Sequence, residues 1–157
     1  MPRHSARPAD ERARSVRSPK ARGEVAEALF LARAMDLGLV VSKPFGDSAR
    51  YDFVVDSGGR LLRVQVKSAW TPAHHGGYQF GASPAQLQGQ RARPYRRDEI
   101  DFLVACIVPQ DTWFIIPIRA IATRNHLVLP ADSRPHPFSR YREAWHLLSG
   151  VPLGTKR

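Results

Sequence analysis

Cysteine is nearly missing from this chain. Cys106 stands alone, so no internal disulfide can form and one thiolate cannot build a zinc site. It lies in an apolar run, which assigns it a place in a core. No apolar stretch approaches the length of a membrane span. The first residues are polar, without the apolar segment of a secretory signal, which sets cytoplasm as the expectation. Internal repeats are absent. Acidic residues are scarce as well: 14 against 24 Lys and Arg, giving a net charge of +10 and a pI near 10.8. That imbalance calls for a polyanionic partner. Because most of the excess is arginine, whose planar fork fits phosphate, nucleic acid suits it better than a membrane surface. Purely solubilising charge is the bland alternative.

The 157 residues, 43% of them apolar, suffice for one domain with a real core. Residues 1–19 carry five arginines, three prolines and almost no large apolar side chain, the composition of a flexible basic arm. Residues 20–150 form the expected domain, and 151–157 a short tail. Ser18-Pro19 is a helix start, and the pattern predicts a helix over 20–35, stopped near Gly38. Val25, Leu29 and Ala32 form its apolar row, with Phe30 and Ala34 widening it. Strands are expected at 39–42, 78–80, 100–108, 113–117 and 126–129. Short helical turns are expected near 83–88 and 118–123, and a closing helix over 139–148. Residues 100–108 are so continuously apolar that they read as a strand buried on both faces.

Between the first two elements and the basic loop lies the most telling segment. Two runs rich in β-branched residues flank Asp56-Ser57-Gly58-Gly59, the pattern of a β-hairpin. Asp52 lies about as far before the turn as Gln65 lies after it. If the register pairs them, Phe53, Val55, Leu62, Val64 and Val66 share the buried face, and Asp52, Gln65 and Lys67 gather on the other. A carboxylate, an amide oxygen and an ammonium on one rigid hairpin can hold a metal ion beside a phosphate. On spacing alone, the same three groups could also be the wet face of an ordinary hairpin.

The order of a helix bearing Gly23-Glu24-x-x-Glu27, then Asp52, then Gln65-x-Lys67, resembles the PD-(D/E)XK nuclease superfamily, over roughly residues 20–117. Within it the chain is most similar to the branch of group I intron-associated endonucleases, where glutamine often replaces the acid of the last motif. It is similar more distantly to Holliday junction resolvases. The proline that often precedes the family's aspartate is missing, since Arg50-Tyr51 stand before Asp52.

That resemblance implies an α/β fold with a restriction-endonuclease-like core, a small mixed β-sheet flanked by α-helices. It also implies a metal-dependent endodeoxyribonuclease that hydrolyses phosphodiester bonds in double-stranded DNA. Asp52, Gln65, the Val66 carbonyl and Glu27 would hold Mg²⁺, with Mn²⁺ able to substitute. Lys67 would orient the attacking water or steady the developing charge. Glu24, one turn before Glu27, is the other candidate for the helix-borne carboxylate, and either acid could simply favour the helix dipole. One active site per protomer implies a homo-oligomer, dimer or larger, for cutting both strands.

Arg91, Arg93, Tyr95, Arg96 and Arg97 form a basic loop expected to grip the DNA backbone, with Tyr95 bonding or stacking near a phosphate. Asp101 reads as a surface charge at a strand end. His74-His75 are too few for a zinc site and read as a solvated loop. A structure-selective nuclease and an inactive nucleic-acid-binding module of the same fold remain as alternatives.

Overall fold

The Ser18 side chain accepts a hydrogen bond from the backbone N–H of Ala21 at 3.0 Å, and Pro19 follows it with no N–H to satisfy. Helix α1 (Pro19–Asp36) starts there and ends at Gly38, whose φ of 76° suits glycine. In the computed structural model, which describes residues 18–74, 76–85 and 89–150, the buried row of α1 is Ala26, Phe30 and Ala34. This corrects the expected row by a rotation of the helix. Val25 and Leu29 pack at its margin, and Ala32 faces solvent. Phe30 sets the rotation. Its ring lies 5.1 Å from Phe53, 6.4 Å from Trp113 and 5.9 Å from Trp145, a fully closed aromatic site. Burying a phenyl ring there stabilises the fold by about 1.5–3 kcal/mol, more than any alanine on the other row could.

Strands β1 (Val40–Ser42), β2 (Phe53–Asp56), β3 (Leu61–Ala69), β5 (Phe102–Ile107) and β6 (Thr112–Pro117) form a five-stranded mixed sheet in the order β1-β2-β3-β5-β6. The β2–β3 hairpin pairs Phe53 with Val64 and Val55 with Leu62. Its turn places Gly58 at φ 60° and Gly59 at φ 96°, where a side chain would be strained. Phe53, Val55, Leu62, Val64 and Val66 are all buried, as the alternation requires. Parallel to β3 runs β5, with Gln65 opposite Leu103 and Lys67 opposite Ala105. The crossover between them holds β4 (Tyr78–Gly81), which pairs with β7 (His126–Leu129) in a separate two-stranded ribbon.

Two apolar layers result. On one face of the sheet, α1 packs with Trp113, Trp145 and Leu148; Cys106 lies in this layer, and burial pushes its thiol up. The inward sides of β4 and β7 cover the other face together with Tyr95, Phe138 and Ile121 from the four-residue helix α2 (Ile118–Ile121). Strand β5 is buried on both sides, which explains its unbroken apolar run.

The closing helix does not form. Residues Ser139–Tyr141 and Trp145–Leu148 are two short 3₁₀ turns, and between them Arg142 bridges to Phe114 while Glu143 takes φ 50°. Glu143 has better partners than a helix would offer. Its N–H donates to the Trp113 carbonyl at 2.7 Å, and its carboxylate accepts from Trp113 N–H at 2.8 Å and Trp145 Nε1 at 2.9 Å. The chain thereby covers the edge of β6 instead of leaving it open. Most of the basic arm, the tail, His75 and residues 86–88 of the short turn expected at 83–88 lie outside the described residues. No helix among the described residues is long and apolar enough to cross a membrane.

Candidate active site

Asp52 stands immediately before β2, and its N–H donates to the Val64 carbonyl at 2.9 Å, continuing the hairpin register toward Gln65. Its Oδ2 accepts from Gln65 Nε2 at 2.6 Å and from Val66 N–H at 2.8 Å. Gln65 Nε2 also reaches the Val66 carbonyl, at 3.4 Å. Two residues further along β3, Lys67 points to the same side. Helix α1 supplies Glu27. Together with Val66, these four side chains line one cleft of about 410 Å³, walled by Arg22, Gly23 and Trp70.

Of the two helix acids, Glu27 is the one at this cleft. Glu24 is exposed and faces a neighbouring groove beside Lys43 and Phe53. Lys43 is a participant that the local sequence pattern does not single out. Its Nζ donates to Glu27 Oε2 at 2.5 Å and lies 5.4 Å above the Phe53 ring. The Glu27 hydrogen bond raises the pKa of Lys43, keeping it charged. Arg22 and Trp70 also escaped notice, with the guanidinium 5.6 Å from the indole centre. No local spacing marks Arg22: five residues before Glu27, it stands about 140° from it around the helix, off the i, i+4 row.

Burial pushes the Asp52 carboxyl above its usual pKa, and the Glu27 charge adds to that. The Val66 N–H, Lys67 and Gln65 oppose it. Lys67 is lowered by burial, with Asp52 pulling the other way. Asp52 Oδ1 and Gln65 Oε1 accept no hydrogen bond from the described residues. Both residues line the cleft, so two hard oxygens are left for a ligand at a site where Asp52 and Glu27 are balanced by Lys67 and Arg22.

Tyr95 is corrected. It is 5% exposed, not displayed at the surface, and its ring lies beneath a β3 lysine, with Lys67 Nζ 5.9 Å from its centre. The apolar layer under the sheet gives a phenol more than solvent does, so Tyr95 folds inward while its arginine neighbours stay at the surface. Arg93 is occupied too: its two Nη atoms grip Glu99 at 2.8 and 2.6 Å, and Arg96 N–H donates to the same carboxylate at 2.9 Å. These partners hold Glu99 down to about 2, against the cost of its burial. Arg91, Arg96 and Arg97 are exposed, Arg96 with Asp98 at 3.2 Å.

Asp101 does more than charge a strand end. Arg63 Nε and Nη2 donate to its two oxygens at 3.0 and 3.1 Å, and Arg63 N–H adds a third bond at 2.8 Å. Arg63 Nη1 and Nη2 also reach the carbonyls of Asp98 and Arg97, so this clamp ties the basic loop to β3. His74 is exposed, and no three His, Cys, Asp or Glu side chains converge among the described residues. That leaves the mixed donor set of Asp52, Gln65, Val66 and Glu27.

A mixed sheet with a helix against one face, and an acid, an amide and a lysine on adjacent strands at its centre, defines a nuclease of the restriction-endonuclease-like fold. The model of the PD-(D/E)XK endonuclease family matches residues 17–148, and the chain belongs to that family. Among solved structures it is similar to a bacterial homing endonuclease, I-Ssp6803I, at 33% identity and a TM-score of 0.73, covering 84% of this chain and 93% of that one. No curated protein matches the chain. The expected family, fold and endonuclease activity are met.

Proposed function

We propose that residues 20–150 form a Mg²⁺-dependent endonuclease domain that hydrolyses phosphodiester bonds in double-stranded DNA, acting in the cytoplasm in the manner of a homing endonuclease. One observation carries this: Glu27 from α1 shares a cleft with Asp52, Gln65 and Lys67 of the hairpin. The donors suit a hard divalent cation, which takes carboxylate, carbonyl and amide oxygens and keeps several waters. Asp52 Oδ1, Gln65 Oε1, the Val66 carbonyl and Glu27 would hold it. Bound there, such an ion lowers the pKa of a water and neutralises phosphate oxygens.

The chain's own groups do the rest. Gln65 Nε2 and Val66 N–H fix the Asp52 carboxylate, so its free oxygen is aimed before any ligand arrives. The Lys67 ammonium, shielded from bulk water, donates hydrogen bonds to the attacking water or to the oxygen on which charge develops. Lys43 turns the Glu27 carboxylate and offsets part of its charge. Arg91, Arg96 and Arg97 hold flanking phosphates, a salt-dependent grip. Each protomer carries one such site, so cutting both strands requires two protomers.

The test is plasmid nicking by the wild type, Asp52→Ala and Lys67→Ala, with and without Mg²⁺ or Mn²⁺. Metal-dependent nicking that both variants lose supports the assignment. Nicking that persists in Asp52→Ala overturns it. DNA binding without nicking at any metal concentration selects the inactive-module reading, for which Gln65 is the motivating residue.

A further inference from the structure

The β4–β7 ribbon is paired on its inner side only. Tyr78, Phe80, Leu127 and Leu129 enter the core, while Gln79, Gly81, His126 and Val128 face outward. The register sets Gln79 opposite Val128 and Gly81 opposite His126, giving one continuous outer surface. Val128 is 43% exposed at its centre. A Cβ on Gly81 would meet nothing within 4 Å, so the surface beside His126 is open. Four residues of paired strand span about 13 Å with two strands about 5 Å apart, and the DNA major groove, about 12 Å wide, admits a two-stranded ribbon.

Charge agrees with shape. From Ser57 to Arg97 the sequence has no acidic residue and seven Lys or Arg, and from Thr112 to Ala131 none and two. Both strands of the ribbon come from these acid-free stretches, although acids are spread through the rest of the chain. The ribbon is also joined to the active site. Lys67 lies over Tyr95, Tyr95 N–H donates to the Ala82 carbonyl at 3.4 Å, and Ala82 N–H donates to the Asn125 carbonyl at 2.8 Å. Asn125 leads directly into His126. A duplex whose phosphate sits at Lys67 would therefore meet the ribbon at a fixed spacing.

We infer that the outer face of the β4–β7 ribbon reads base edges in the DNA major groove, with Gln79, His126 and Val128 as specificity determinants. The inference rests on the DNA endonuclease reading above. A glutamine amide matches the donor and acceptor of adenine, and an exposed valine matches a thymine methyl group. The ribbon covers about four base pairs at 3.4 Å each. None of the three side chains lines the catalytic cleft.

The experiment is selection of cleaved sequences from a randomised duplex pool in Mg²⁺ or Mn²⁺, for the wild type, Gln79→Ala, His126→Ala and Val128→Ala. The variants should lose about 5- to 100-fold discrimination, the scale of a base-edge contact, within one contiguous window of about four positions. Their melting temperatures should match the wild type. Purines replaced by their 7-deaza analogues in that window should slow the wild type but not Gln79→Ala. Unchanged preferences in all three variants, or a wild type that cleaves without preference, would overturn the ribbon's role and leave the endonuclease intact. A wild type that cleaves no DNA at all would remove both.

Discussion

Replacing Gln65 by glutamate restores an acid to the last motif, yet the geometry predicts a less stable protein in the absence of metal. Gln65 Nε2 donates to Asp52 Oδ2 at 2.6 Å. Gln65→Glu exchanges that charge-assisted hydrogen bond for two carboxylates in contact. At about 3 Å, and an effective dielectric of about 20, their repulsion is about 5 kcal/mol. The pair can escape by taking up one proton. For a carboxyl with an ordinary pKa near 4.3, remaining protonated at pH 7 costs about 3.7 kcal/mol, so the destabilisation should settle at about 3–4 kcal/mol. In a chain of this size that lowers Tm by roughly 10 °C.

The sign with pH follows. The new group has a folded-state pKa above its unfolded value, so its destabilisation vanishes below about 4.3 and grows as pH rises, until pH passes the folded-state pKa. A divalent cation bound between the two acids should reverse the loss. Thermal melts of Gln65→Glu and wild type, at pH 5 and 7, with EDTA, Mg²⁺ or Ca²⁺, measure all of this. Equal melting of both proteins at pH 7 in EDTA would refute the electrostatic reasoning. Equal response to metal would refute the proposed ligand set.

Glu27→Ala should reduce cleavage at least about 10-fold, the loss expected from weakening a metal's ligand shell, and approach the effect of Asp52→Ala; turnover at the wild-type rate would remove Glu27 from the site. Glu99, its side chain 8% exposed, is held at about 2 in the folded state against an ordinary value of 4.5. A depressed carboxylate stabilises above its unfolded pKa, and that contribution is lost as pH falls from about 4.5 toward 2. Glu99→Gln should therefore flatten the acid-side loss of Tm in that window, and identical acid profiles would show that the Arg93 clamp adds no stability.

The hairpin was legible because alternation has a period of two and two glycines allow only a tight turn. Given those, Asp52, Gln65 and Lys67 had to share a face once Phe53, Val64 and Val66 were buried. Helix α1 was legible from Ser18-Pro19 and Gly38. Its rotation was not, because a one-residue turn of a helix leaves its composition unchanged. Only the aromatic site among Phe53, Trp113 and Trp145 selects Phe30 as the centre.

The sequence by itself determined the strands, the three hairpin groups and the family they belong to, since each is written in local spacing that backbone geometry enforces. Tertiary structure decided what meets them: Lys43 beside Glu27, Tyr95 beneath Lys67, β4 against β7, and Glu143 drawn away from a helix by Trp113. Those pairs lie 16 to 51 residues apart. No local rule reaches that far, and their closure is paid in chain entropy that only the packed core offsets.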